Sequence, residues 1–170
     1  VAPPDVGAVD RGADVVDRTA GGAALEVLRR LDLLIAYWGH SPPPVLRSGG
    51  LGVRELRRTA QSLGVTETAA AVLVEVAAAA GLVADDGEAD PRWAPTPALD
   101  DWLATTTGQR WAALARAWLV TTRVPHLVGT RDGRNAPRAV LGPDLDRPSA
   151  PVVRAGLLAE LATAAGRGPP

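Results

Sequence analysis

Gly52-Val53-Arg54-Glu55-Leu56-Arg57-Arg58-Thr59-Ala60-Gln61-Ser62-Leu63-Gly64 runs directly into Val65-Thr66-Glu67-Thr68-Ala69-Ala70-Ala71-Val72-Leu73-Val74-Glu75-Val76-Ala77-Ala78-Ala79-Ala80-Gly81. The first part reads as a short helix closed by Gly64, because glycine accepts the left-handed backbone that ends a helix. Val65 is the turn. Thr66 is placed to cap a second helix through about Ala80, and Gly81 ends it. Two helices joined by a three-residue, glycine-containing turn form the signature of a helix-turn-helix. Ala60 stands where the two helices cross and a small side chain is needed.

Upstream, Val27, Leu31, Leu34 and Trp38 recur at helical spacing, with Leu28 and Ile35 widening the stripe. They predict a helix over about Ala23 to Trp38, with Glu26 and Arg30 as a surface pair four apart. Gly39 to Pro44 stops it, and Val45-Leu46-Arg47 reads as extended. Downstream, Leu82-Val83-Ala84 and Arg92-Trp93-Ala94-Pro95 read as two short strands around the acidic turn Asp85-Asp86-Gly87-Glu88. Helix, helix and β-hairpin make a winged helix. Thr96 and Pro97 start a further helix to about Ala104, with Thr as cap and Pro at the first position. Thr106 and Gln109 fit a capping box opening a long helix to about Thr122. Its expected core stripe is Trp111, Leu114, Ala115 and Trp118, and Trp93 and Trp102 are expected to pack together under the wing. Ser149 is placed to cap a last helix whose Val153, Leu157, Leu158 and Leu161 face inward.

The expected class is therefore mainly α with a small β-wing (α+β), a winged helix-turn-helix core with flanking helices. The expected organisation is a Pro/Gly/Asp-rich linker over 1–22 and a winged-helix domain over 23–105. A helical extension over 106–165 follows, with an Arg/Pro-rich loop at 123–148, and a second linker at 166–170. Linkers at both ends suggest a piece of a larger intracellular, cytoplasmic protein.

Composition removes several classes of chemistry. All 18 basic residues are Arg and none is Lys, so the phosphate-binding loop that needs Gly-Lys and the Schiff-base chemistry of lysine are excluded. There is no Cys, and the two His, His40 and His126, do not make a zinc site. No nucleophile elbow of the Gly-x-Ser-x-Gly type is present. The acidic group Asp85, Asp86, Glu88 and Asp90 lacks the spacing of a calcium loop and reads as a solvated turn. We expect no catalytic residues, no cofactor and no metal, and therefore no enzyme. The longest apolar run, near Ala69 to Ala84, is interrupted by Glu75 and too short to span a membrane.

Two features bear on partners. The helix from Thr66 to Ala80 has no basic residue and is apolar on nearly every face, which predicts burial rather than insertion into a DNA groove. From Ser48 to Ala104 there are four basic residues against nine acids, which disfavours a phosphate-neutralising wing. Against this stand two Arg groups. Arg54, Arg57 and Arg58 crowd one side of the preceding helix near Arg47. The loop carries Arg123, His126, Arg131, Arg134 and Arg138 against Asp132 alone. These Arg residues are the candidate DNA contacts. The competing reading is a protein-interaction or scaffolding winged helix, whose partner is another domain of the parent protein or a separate protein.

The string Leu46-Arg47-Ser48-Gly49-Gly50-Leu51-Gly52-Val53-Arg54-Glu55-Leu56-Arg57-Arg58 resembles a segment of the actinobacterial helicase-associated proteins, whose defining domain is named for the N-terminal region of XPB-type helicases. The similarity continues through Ala77 to Leu82, Trp93 to Thr96, Asp101-Trp102-Leu103, Arg110-Trp111, Ala117-Trp118-Leu119 and Val128 to Asp132. Upstream, Gly22-Ala23-Ala24-Leu25-Glu26 fits as well, so the likeness covers most of the chain after residue 22. The resemblance implies a long multidomain protein with this piece in its middle and a link to DNA repair or helicase function. It carries over no established site residue.

Overall fold

A computed structural model describes residues 9–163 and the backbone of residues 167 and 168. The remaining parts of the two expected linkers lie outside the described residues. In chain order the elements are β1 (Val9–Asp10), α1 (Ala13–His40), α2 (Val53–Leu63), α3 (Glu67–Ala79), β2 (Val83–Asp85), β3 (Trp93–Pro95), α4 (Ala98–Leu103), α5 (Thr107–Val120), α6 (Ala150–Thr163) and β4 (Arg167–Gly168). The molecule is mainly helical. β2 and β3 form a small antiparallel sheet, with Val83 opposite Pro95, Ala84 opposite Ala94 and Asp85 opposite Trp93. β1 and β4 form a second short antiparallel pair.

The α2–α3 corner follows the expected chemistry. Gly64 sits at φ 62, and its left-handed backbone turns the chain so that the Val65 amide bonds the Ala60 carbonyl at 3.0 Å. The Thr66 hydroxyl then accepts the Ala69 amide at 3.2 Å and starts α3. The two helices meet at 95°. Leu31, Leu34 and Trp38 of α1 close over this corner and are fully buried with Leu63 and Val74. Each such side chain contributes roughly 1.5–3 kcal/mol. The Trp38 indole N–H does not go unpaired in this core: it donates to the Thr59 hydroxyl at 3.2 Å.

Four expectations are corrected. α1 begins at Ala13, so residues 13–22, expected as linker, are helical through Gly21 and Gly22. Most of this stretch is exposed, so its helix is held by main-chain bonding rather than by packing. Thr96 does not cap α4. Its hydroxyl donates instead to the Gly81 carbonyl at 2.5 Å, tying the hairpin to the end of α3. Trp111 is not core but 39% exposed, because α5 turns Leu114 and Ala117 inward. Finally, Val153, Leu157, Leu158 and Leu161 of α6 are all exposed, since α6 buries only Ala150. Trp93 and Trp102 are anchored to different backbone acceptors, Trp93 to Gly50 and Trp102 to Arg110. The Arg110 guanidinium lies 4.0 Å over the Trp102 ring.

α3 is covered within the chain itself. α1 and α2 pack on one side, and α5 with the turn at Pro125–Leu127 on the other. One charged residue is buried in this arrangement. The Glu75 side chain is 2% exposed and accepts from Arg123 through both carboxylate oxygens. Its Oε1 also accepts the Leu141 amide at 2.6 Å. Arg123 Nη2 donates in turn to the Gly142 carbonyl at 2.8 Å. Leu141 is held at φ 58, a conformation costing a non-glycine residue about 1–3 kcal/mol. The Glu75 bond and the neighbouring Leu51 amide to Val140 carbonyl bond, 2.7 Å long, fix it there.

Replacing one partner of this pair strands the other. We expect Arg123→Met to cost about 3 kcal/mol in urea denaturation, because the carboxylate stays buried without its cation. The double variant Glu75→Leu/Arg123→Met should recover a large part of that loss. A cost below ~1 kcal/mol for the single variant would show that the pair does not clamp the segment.

Candidate nucleic-acid interface

The sequence offers two separate Arg groups, and the fold decides which of them meet. α2 starts at Val53, and α3 starts at Glu67. Both helix starts face the segment 125–140, and together they enclose a depression of about 240 Å³. Val53, Leu56, Glu67 and Thr68 line one side, and His126, Gly129 and Arg138 the other. Arg57 is paired with the lining residue Glu67, and Arg138 is itself part of the lining. The two Arg groups, far apart in sequence, thus border one surface.

The charges there are partly spoken for. Arg57 pairs with Glu67 at 3.0 Å and Arg58 with Glu55 at 2.9 Å, both at exposed sites where such pairs contribute little. Arg54 and Arg134 make no ion pair among the described residues. The three Arg of α2 with Arg131, Arg134 and Arg138 stand against Glu55 and Asp132 on those two stretches and Glu67 at the start of α3, an excess of three positive charges. The whole chain carries −1, so these stretches are more basic than the chain as a whole.

The loop bearing Arg131 to Arg138 is built by its own side chains. The Asp132 carboxylate accepts the Arg134 and Ala136 amides, each at 2.8 Å. Those bonds, the Ala136 amide first, hold its carboxyl below the ordinary Asp value. Arg131 donates to the Asn135 carbonyl at 2.6 Å, and Arg138 to the Thr130 hydroxyl at 3.0 Å and to the Arg131 carbonyl. Arg138 Nε is buried without a partner among the described residues, as is Arg110 Nε.

Two candidates are placed elsewhere. Arg123 is committed to Glu75 and lies 3.5 Å from Asp146, with its side chain 21% exposed, so it is a structural cation. The Glu75 carboxylate raises its affinity for the proton. Arg47 lines a different depression, with Asp90 and Arg92 beside the hairpin. The acidic hairpin turn is organised by Asp86, whose carboxylate accepts the Arg92 and Glu88 amides and is held below the ordinary Asp value by them.

A second surface was missed in the sequence. Val27, Val72, Val76, Trp111, Trp118 and Leu158 line an apolar groove of about 400 Å³ between α5 and α6. Arg154 of α6 stacks 5.1 Å from the Trp118 ring and donates to the Trp118 carbonyl at 2.7 Å, which pins the first turns of α6. Further along α6, Leu157, Leu158 and Leu161 stay exposed. The signal was present in α6, which is apolar on all sides rather than on one stripe.

Among the described residues, no three His, Asp or Glu are grouped to hold a metal ion, and no single helix is long and apolar enough to cross a membrane. No family model, curated protein or solved structure matches the chain.

Asp132 gives the loop a pH dependence with a definite sign. A folded-state value below the unfolded one stabilises the loop above about pH 4 and is lost as the carboxylate protonates. Protection of the Arg134 and Ala136 amides, corrected for intrinsic exchange, should therefore fall below that pH. In Asp132→Ala it should be low at every pH. Protection that does not change with pH would remove Asp132 as the organiser.

Proposed function

We propose that this chain is a non-catalytic winged-helix module of a larger helicase-associated, DNA-linked protein, and that it touches nucleic acid through α2, the loop and the first turn of α3 rather than along the length of α3. The element order supports the winged-helix reading: α1, the α2–α3 corner, then the β2–β3 hairpin. So does a third extended piece, since the Val45 amide bonds the Pro91 carbonyl and the Trp93 amide bonds the Pro43 carbonyl, each at 2.9 Å. The single observation that carries the functional reading is the depression that sets Arg138 of the loop opposite Glu67, whose carboxylate holds Arg57 of α2. A concentration of Arg on one side of a mildly acidic chain is the electrostatic footprint of phosphate contact. The usual groove-reading helix is already packed against α5 and the Pro125–Leu127 turn, which leave a strip around Val72 exposed. In this reading the module acts in the cytoplasm, without cofactor or metal.

A second reading, a protein-interaction or scaffolding winged helix without DNA contact, is favoured by α6. Its Val152 is 75% and its Val153 65% exposed, and Leu157 and Leu161 are more than half exposed. Contiguous aliphatic exposure of this kind marks a surface that another polypeptide covers.

Fluorescence anisotropy with labelled duplex, forked and single-stranded DNA separates the two. Arg54→Glu and Arg134→Glu should each weaken binding severalfold at low salt and make its salt dependence shallower by about one unit of slope per lost contact. Val72→Glu, on the exposed strip of α3, should leave binding unchanged. No binding to any DNA at low salt would favour the protein-interaction reading.

A further inference from the structure

The depression between α2, α3 and the loop differs from a simple phosphate site. Its floor is apolar, formed by Leu51, Leu56 and Val140, while its wall carries the Glu67 carboxylate and the Thr68 hydroxyl. Glu67 uses Oε1 for Arg57, and neither its Oε2 nor the Thr68 hydroxyl has a hydrogen-bond partner among the described residues. A carboxylate repels a phosphate set beside it. It accepts readily from the exocyclic amino group of a base, and a Thr hydroxyl pairs with any base edge. The cations near it are Arg138, in the lining, and Arg57, paired with Glu67, with exposed His126 also in the lining. The volume of about 240 Å³ corresponds to roughly eight waters, the space of one ring system rather than of a base pair.

We propose that this depression receives one unstacked, amine-bearing nucleobase of a single strand, with the flanking phosphates on the Arg138 loop and the Arg residues of α2. The base buries its ring against Leu56 and Val140, and its amino group donates to Glu67. The His126 ring covers it from the rim, as aromatic and His rings do in single-strand recognition. The proposal rests on the nucleic-acid reading above and adds the class of ligand: an extruded base rather than a duplex edge.

The test is anisotropy with short fluorescein-labelled oligo(dC), oligo(dT) and an abasic strand of equal length, with dCMP as competitor. Oligo(dC) should bind about tenfold tighter than the abasic strand, and oligo(dT), which has no exocyclic amine, should fall between them. Glu67→Gln, which can donate as well as accept, should narrow the dC–dT difference. Thr68→Trp, at an exposed position that fills the depression, should bring oligo(dC) down to the abasic level while keeping the charge-driven remainder; melting curves establish that both variants fold. Equal binding of oligo(dC) and the abasic strand overturns base insertion but leaves phosphate contact standing. Displacement by dCMP as effective as by unlabelled strand overturns the single-strand requirement. No binding of any strand at low salt overturns both readings.

Discussion

The burial of one carboxylate organises this molecule. Glu75 lies in the middle of α3, where an ionised side chain without partners would be costly. Its partners are not on α3 or on its immediate neighbours. They are Arg123 and the Leu141 amide, supplied by the chain after α5. That requirement draws the segment 123–142 across the helix pair. It brings Val140 against Leu51 and thereby completes the floor of the depression. The basic loop is placed where it is because Arg123 and Leu141, on either side of it, are fastened to the same side chain.

The glycine string around residues 46–52 belongs to the same arrangement. Gly50 has φ 87, and a Cβ there would lie 2.6 Å from the Val140 carbonyl oxygen and 2.8 Å from the Gly142 amide. The backbone of 140–142 passes so close that no side chain fits at residue 50. The most distinctive piece of the sequence is thus a packing device between two distant segments. Its proximity to the Arg residues of α2 is a consequence of that packing.

How much was legible in the sequence follows the range of the interactions. The α2–α3 corner was readable because Gly64 and Thr66 act within a few residues of themselves. The capping box of Thr106 and Gln109 was readable for the same reason. Arg123 reads as a surface cation because its partner is 48 positions away, and charge alone does not distinguish a buried Arg from a solvated one. Glu75 was noticed only as an interruption of an apolar run. Its position inside that run was the available signal that a cation had to reach it. Thr96 fitted the pattern of a cap, but the Gly81 carbonyl competed for its hydroxyl. The apolar residues of α6 were assigned to the core because hydrophobicity reports a preference for burial and does not report what does the burying. The meeting of the two Arg groups could not be read from spacing at all, since it depends on the path of the chain after α5.

The reach of the Glu75 contacts also has a consequence for the order of events on the ribosome. When α3 has left the exit tunnel, the groups that neutralise its buried acid have not yet been made. Leu141 follows Glu75 by 66 residues, and at ~5–20 residues per second it leaves the tunnel roughly 3–13 seconds after it. For that interval the nascent helix pair carries a hydrated carboxylate where the finished protein has a dry one, and its apolar outer face waits for α5. The α2–α3 corner of this chain is the first part to be specified and among the last to be completed.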